Sequence, residues 1–240
     1  MRYALIGDIH GNLEALESVM ASIDQENIDQ ILCSGDIVGY GANPVECIDI
    51  VRQRCKKVVA GNHDYAAIGL TDVDYFNPFA KDALIWTSER LSEKEITYLA
   101  SLKLVEREDH FTIVHATLNN PKEWGYILNT FDAASHLELQ VDSICFIGHS
   151  HCPVVYMKRE NFISGHRFIS KIEQNCAYVI NIGSVGQSRD GDPRACYVVY
   201  DMEMQTLKLK RVEYDIARAQ NKIMTAGLPQ ILADRLSIGR

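Results

Sequence analysis

The chain has no Cys-x-x-Cys pair, no excess of basic residues and no apolar run near the length of a membrane span. Each absence excludes a class of protein. The seven cysteines are scattered at 33, 47, 55, 145, 152, 176 and 196, and an odd, unpaired set supports neither a disulfide framework nor a thiolate zinc site. A net charge of -8 does not suit broad binding to duplex nucleic acid, which needs a stripe of lysine and arginine to displace counterions. A bilayer span needs roughly 20 apolar residues, and nothing approaches that; the N-terminal run Tyr3–Ile6 is also too short for a signal-peptide core. An unprocessed, soluble, cytoplasmic protein with no membrane partner is the expectation. Repeats, low-complexity tracts and obvious linkers are missing as well.

What remains is the composition of an ordinary globular domain, 47% hydrophobic and 23% charged over 240 residues. Tyr3–Ile6 reads as a strand, and Leu13, Leu16, Val19, Met20 and Ile23 fall on one face of a helix near Asn12–Ile23. Ile31–Cys33 and Val58–Ala60 read as strands on either side of a helix over Pro44–Arg54, which a proline opens. Such alternation predicts a largely parallel, covered sheet. Two helical stretches follow, the second begun by the capping box Ser92-x-x-Glu95. Short β runs dominate from 103 onward: Thr112–Val114, Ile144–Ile147, Val154–Met157, Val179–Ile182, Cys196–Tyr200 and Leu207–Val212. The expected organisation is one domain over 1–240, with a helical insertion at about 70–102 and a peripheral tail at about 215–240.

Metal-competent side chains follow five of the apolar runs. They are Asp8-Ile9-His10, Gly35-Asp36, Gly61-Asn62-His63-Asp64, His115, and Gly148-His149-Ser150-His151. Carboxyl ends of strands are where open α/β sheets place their sites. A spacing of two in Asp8-x-His10 and His149-x-His151 predicts side chains on the same side of an extended segment. Imidazole, carboxylate and amide oxygen together suit borderline to hard divalent ions such as Mn, Fe, Zn, Ni or Co, and the lack of cysteine in these motifs disfavours a soft metal.

The ordered blocks D-x-H, G-D, G-N-H-[DE], H and G-H-x-H resemble those of the calcineurin-like metallophosphoesterases, in particular their small bacterial and archaeal phosphodiesterase-like branch. Gly35–Gly41 and Asn181–Ala195 are also similar, so the resemblance covers about residues 1–200. It implies an α/β fold, a layered β-sandwich of two mixed sheets flanked by helices. It implies two divalent metal ions, manganese favoured, with Asp8, His10 and His151 on one, Asn62, His115 and His149 on the other, and Asp36 bridging both. The implied reaction is hydrolysis of a small phosphate ester, with nucleotide-derived compounds among the candidates and a diester more in keeping, by a metal-bridging hydroxide with His63 as general acid. Asp36 and His63 are thus the expected catalytic residues.

Two departures bear on substrate. Where phosphoprotein phosphatases and dinucleoside tetraphosphatases of the superfamily carry G-D-x-x-D-R-G, this chain has Gly39 and Tyr40, and so lacks the Asp that orients the catalytic His and the Arg that grips phosphate. Orientation of His63 is then left to Asp64 or a backbone carbonyl. His115 is followed by Ala116-Thr117 in place of Gly-Ser or Gly-His. Tyr40 and Arg189 are candidate substrate contacts, and Trp124 and Tyr126 could stack on a nucleobase or pack a lid. His110, His136 and His166 read as surface or packing residues. The alternatives are a phosphomonoesterase acting on nucleotides or proteins, and a non-catalytic metal-binding scaffold.

Overall fold

Side-chain alternation along the first strand shows how the layers stack. In β1 (Arg2–Ile6), Tyr3 and Leu5 face one way and Ala4 and Ile6 the other, and all four are buried. A strand buried on both faces needs a layer on each side. The computed structural model, which describes residues 1–108 and 110–240, supplies a second sheet on one side and helices on the other.

The first sheet has the order β11-β10-β1-β2-β3, with β2 at Gln30–Cys33, β3 at Cys55–Val58, β10 at Ala195–Asp201 and β11 at Thr206–Val212. β1, β2 and β3 run parallel, whereas β10 and β11 are antiparallel additions. The second sheet has the order β4-β5-β6-β9-β7-β8, from Val105–Arg107, Phe111–Val114, Ile144–Ile147, Cys176–Asn181, Val154–Arg159 and Phe162–His166. β5, β6 and β9 are parallel, and the β7–β8 hairpin and β4 complete its edges in antiparallel fashion. These are two mixed sheets flanked by helices, the architecture expected.

Between the sheets lie Tyr3, Leu5, Leu32, Phe111, Phe146, Tyr178 and Tyr200. Phe111 is central. It meets Tyr3, Phe146 and Tyr200 edge-on at centroid distances of 5.0, 5.3 and 5.8 Å, an arrangement that adds to area burial. On the outer face of the first sheet lie α1 (Leu13–Asp24), capped by the Asn12 side chain, α2 (Pro44–Arg54), the short α3 (Asn62–Ala67) and α5 (Glu93–Ser101). The Ser92–Glu95 capping box is formed as its sequence indicates.

Before α5 comes α4 (Pro78–Ser88), and α6 (Thr130–Leu139) covers the second sheet. The last elements, α7 (Ile216–Thr225) and α8 (Gln230–Asp234), are tied into the body. Ile223, Leu228, Leu232 and Leu236 bury against Tyr40, Ala80 and Ala83, and buried Glu14 of α1 pairs with Lys222 at 2.6 Å and Arg218 at 3.2 Å.

Several bounds differ from the sequence reading for identifiable reasons. The strand expected at Val58–Ala60 lies at Cys55–Val58: the Val59 N–H still donates to Cys33 of β2, but the chain then turns to an isolated bridge with Lys103, to whose carbonyl Ala60 N–H donates at 2.8 Å. β9 ends at Asn181, one residue earlier than apolar content suggests. β8 and α6 carry few inward apolar residues, so neither has a strong period. Phe162 of β8 is 71% exposed, and α6 buries only Ala133, His136 and Leu137.

Candidate metal centre

Because β1, β2, β3, β5 and β6 are parallel within their sheets, the residues just past each carboxyl end arrive at one rim of the sandwich. Asp8, Asp36, Asn62, His115 and His149 come from those five ends, and His10 and His151 follow two residues after Asp8 and His149. All seven are buried.

The extended backbone expected of the spacing of two does not hold, and of the two pairs only Asp8 and His10 meet in one donor group. Asp8, His10, Asp36, Tyr40, His149 and His151 all adopt left-handed backbone conformations, with φ of 48, 53, 51, 59, 68 and 59°. Each non-glycine residue held there is strained, and six on one rim mark a place where geometry is imposed by the surroundings. Tight turns aim the side chains. Consequently His149 and His151 part company and join different groups.

One group comprises Asp8, His10, Asp36 and His151, and the other Asp36, His115 and His149, with donor atoms in each within 4.8 Å of one another. Asp36 belongs to both. Asn62 joins the second, its Oδ1 lying 3.2 Å from His115 Nε2. Three rings have their outer nitrogen fixed. Nδ1 of His10, His115 and His151 donates to the carbonyls of Val38, Ser34 and Gln187 at 3.1, 2.8 and 2.6 Å. A carbonyl can only accept, so each neutral ring turns a bare Nε2 lone pair to the centre.

These lone pairs confront one another. His10 Nε2 and His151 Nε2 are 3.1 Å apart, as are His115 Nε2 and His149 Nδ1. Ligand bonds of about 2.0–2.2 Å at angles near 90–110° place donor atoms about 2.9–3.5 Å apart, so the spacing fits donors around shared cations. Carboxylate contacts agree: His151 Nε2 to Asp8 at 3.3 Å and His115 Nε2 to Asp36 at 3.3 Å.

Electrostatics carry the same message. Burial drives His10, His149 and His151 towards the neutral form a metal requires, against the pull of the neighbouring carboxylates. Burial also opposes the charge on Asp36, yet His115, by charge and by hydrogen bond, holds its carboxyl well below the usual range. At His115, burial is outweighed by Asp36, which raises the ring to about 9. Without a cation, a proton on His115 therefore balances Asp36, and a bound cation would replace it.

Comparison with known proteins agrees with this geometry. The model of the calcineurin-like phosphoesterase superfamily domain matches residues 1–205. The chain belongs to the calcineurin-like phosphoesterase superfamily. It is 39% identical to a metallophosphoesterase from Sphaerobacter thermophilus, covering 100% of this chain and 99% of that one with a TM-score of 0.88. It is 38% identical over 243 residues to an uncharacterised protein of Methanocaldococcus jannaschii, spanning 99% of this chain and 98% of the relative. A symmetrical bis(5'-nucleosyl)-tetraphosphatase of Haemophilus ducreyi is 26% identical over 144 residues, matching 58% of this chain and 52% of its own length. The protein is thus a metal-dependent phosphoesterase of a family that uses dinuclear metal centres.

Around the cluster, superfamily members with Asp-Arg in the second block differ from this chain at Gly39 and Tyr40. Gly39 has φ +90°, and a Cβ there would lie 2.4 Å from His63 Nδ1, so the ring of His63 occupies the space a side chain would need. His63 Nδ1 has no hydrogen-bond partner among the described residues. The expectation that Asp64 or a carbonyl orients it is overturned. Asp64 instead accepts from the backbone N–H groups of Ile37, Val38 and Gly61 and staples the Asp36 loop. Packing holds His63, with ring centroids of Tyr40, His10 and Phe76 at 4.5, 4.7 and 4.9 Å. Burial, joined by the Arg189 charge and opposed by Asp36, lowers it to about 4.

Arg189 reaches the vacated second-block position from a different loop. Its guanidinium donates to the Tyr40 hydroxyl at 3.3 Å and to Gln187 at 2.9 Å, and lies 5.8 Å from the Tyr40 ring. Arg194, by contrast, is tied to Asp192. His136 is buried, accepting from the Leu118 N–H. Support residues escaped the sequence reading because they act through polar contacts without a motif. Asn181 donates to the Gly148 carbonyl, and Ser184 to that of Asp8 at 2.8 Å. Among the described residues, no helix is long and apolar enough to cross a membrane.

Proposed function

We propose that the protein hydrolyses a phosphodiester of a small, nucleotide-derived compound. Asp8, His10, Asp36 and His151 would hold one divalent ion and Asp36, Asn62, His115 and His149 the other. The mixed oxygen and nitrogen donor set favours manganese over softer ions. Such a pair supplies Lewis acidity and a water acidified to near neutrality. The observation that carries the reading is Asp36, which belongs to both groups while its Oδ1 accepts the His63 backbone N–H at 2.8 Å. One carboxylate thereby sets the metal positions and the placement of the acid.

His63 stands beside the donors without being needed by either set, and it lines the open cleft over the cluster. In the free protein burial keeps it neutral; a bound phosphate anion favours the imidazolium, which then protonates the departing oxygen. Arg189, oriented by Tyr40 and Gln187, would hold a non-bridging phosphate oxygen. A diester carries a single negative charge, which suits one half-buried arginine better than the dianion of a monoester. The tetraphosphatase names of partial-length relatives support a nucleotide-derived substrate.

With manganese restored, the protein should hydrolyse bis(4-nitrophenyl) phosphate with a kcat/KM at least about tenfold above that for 4-nitrophenyl phosphate, a difference of about 1.4 kcal/mol in barrier. The opposite preference would make it a monoesterase.

A further inference from the structure

Resting on that phosphoesterase reading, we infer that the cleft beside the cluster binds the nucleoside of the substrate, and that this nucleoside is the group that leaves. The cleft has a volume of about 470 Å³, with Asn62, His63 and His149 at its metal-side end. That size is within the range of small-molecule sites. Its walls come from two separate segments, residues 70–77 and 122–126. Trp124 Nε1–H donates to Thr71 Oγ1 at 3.3 Å and links the two.

Aromatic rings dominate the walls. Tyr126 lies flat on the His149 ring, centroids 4.0 Å apart and planes 23° from parallel, leaving its other face half in solvent. Phe76 meets His63 edge-on, and Tyr75 stands 86% exposed at the mouth. Exposed aromatic faces beside a reaction centre offer stacking to a planar heterocycle, worth about 1–3 kcal/mol per base.

Charge narrows the occupant. The carboxylate and ammonium side chains of the cleft wall are Asp72, Glu123 and Lys122, and Arg189 is not among the lining residues. With no cationic excess, this side does not suit further phosphates; an uncharged ring system with amino and hydroxyl groups suits Asp72, Asn77 and Glu123 as hydrogen-bond partners. A dinucleoside polyphosphate would place anionic groups here, and a nucleoside does not.

Position then sets the role. His63 opens onto this cleft, so the group bound there receives its proton. The P–O bond to the nucleoside breaks, its electron pair stays on the nucleoside oxygen, that oxygen takes the His63 proton, and hydroxide from water ends on phosphorus. Nucleoside and a phosphate monoester are the products.

The sequence has two tryptophans, and Trp86 packs under Arg90 and bonds the Ala226 carbonyl, so quenching by a stacked base reports Trp124. Metal-free and manganese-loaded protein would be titrated with adenosine, uridine and ribose 5-phosphate. We expect adenosine to quench and bind in both states, uridine to bind more weakly, and ribose 5-phosphate to leave the fluorescence of the metal-free protein unchanged. Tyr75→Ala should weaken adenosine about tenfold. Equal quenching of the metal-free protein by ribose 5-phosphate, or undiminished adenosine binding by Tyr75→Ala, would overturn the cleft. Adenosine 5'-methylphosphate tests the leaving group: adenosine and methyl phosphate are expected, and AMP with methanol would refute it. A protein that hydrolyses bis(4-nitrophenyl) phosphate but binds no adenosine loses this inference alone. Adenosine binding without hydrolysis of any ester, metals loaded, would sink the phosphoesterase reading and the leaving-group assignment with it.

Discussion

Replacing His63 by Asn separates proton donation from the other duties of the site. The ring is held by Tyr40, His10 and Phe76, and its Nδ1 has no hydrogen-bond partner among the described residues, so removing that nitrogen abolishes no observed bond. Neither donor group contains it. Both metals should therefore remain. What is lost is the acid, typically worth about 10²–10⁴ in rate, or about 2.7–5.5 kcal/mol of barrier. That loss should appear in full with a dinucleoside monophosphate, whose alkoxide leaves poorly. Bis(4-nitrophenyl) phosphate should lose about tenfold or less, because nitrophenolate departs with little need of a proton. Initial rates on both esters, with metal content measured on the same samples, give the ratio directly. Equal losses would mean that His63 binds phosphate or shapes the pocket, and loss of a metal would make it a ligand.

Asp36→Asn should drop metal content from two equivalents to one or fewer, since a neutral amide bridges two cations poorly; mass spectrometry showing two, with normal activity, would exclude the bridging role. Gly61→Ala places a Cβ 2.0 Å from Asp36 Oδ1 and 2.4 Å from its backbone nitrogen, and calorimetry should record a loss of about 1–3 kcal/mol together with weaker metal binding. His136 gives a pH dependence: burial lowers it to about 4 when folded, below its ordinary 6.5, so between those values the unfolded chain takes up a proton that the folded chain refuses. Stability should fall as pH drops through 6.5, and at pH 5 this group costs about 2 kcal/mol. His136→Gln, whose amide oxygen can still accept from Leu118, should show a correspondingly shallower loss in urea titrations at pH 7.5 and 5; an identical slope would contradict the assignment.

The candidate site was legible because its residues follow apolar runs whose strand character is strong. Ile144–Ile147 ends at the same residue in sequence and structure, and Gly148-His149 follows at once. The helix over Pro44–Arg54 was readable from its opening proline, and α5 from its capping box. What was not legible depends on contacts distant in sequence. Asp64 sits next to His63 in the chain, yet it bonds Ile37 and Val38 across the loop, and no local pattern announces that. Nor could the sequence bring Arg189 to Tyr40, 149 residues away. The left-handed conformations of Asp8 and His10 are imposed by the turns between layers, so a spacing of two suggested an extended geometry that the backbone does not have. Weak periodicity hid β8 and α6, where tertiary pairing outweighs local preference.

Titration of metal-free protein with manganese, following diester hydrolysis at each step, bears most directly on the central claim. Because Asp36 is shared by two donor groups, activity should rise to a plateau at two equivalents of metal per chain and vanish again on chelation. Full activity with no metal, or a plateau at one equivalent, would contradict it.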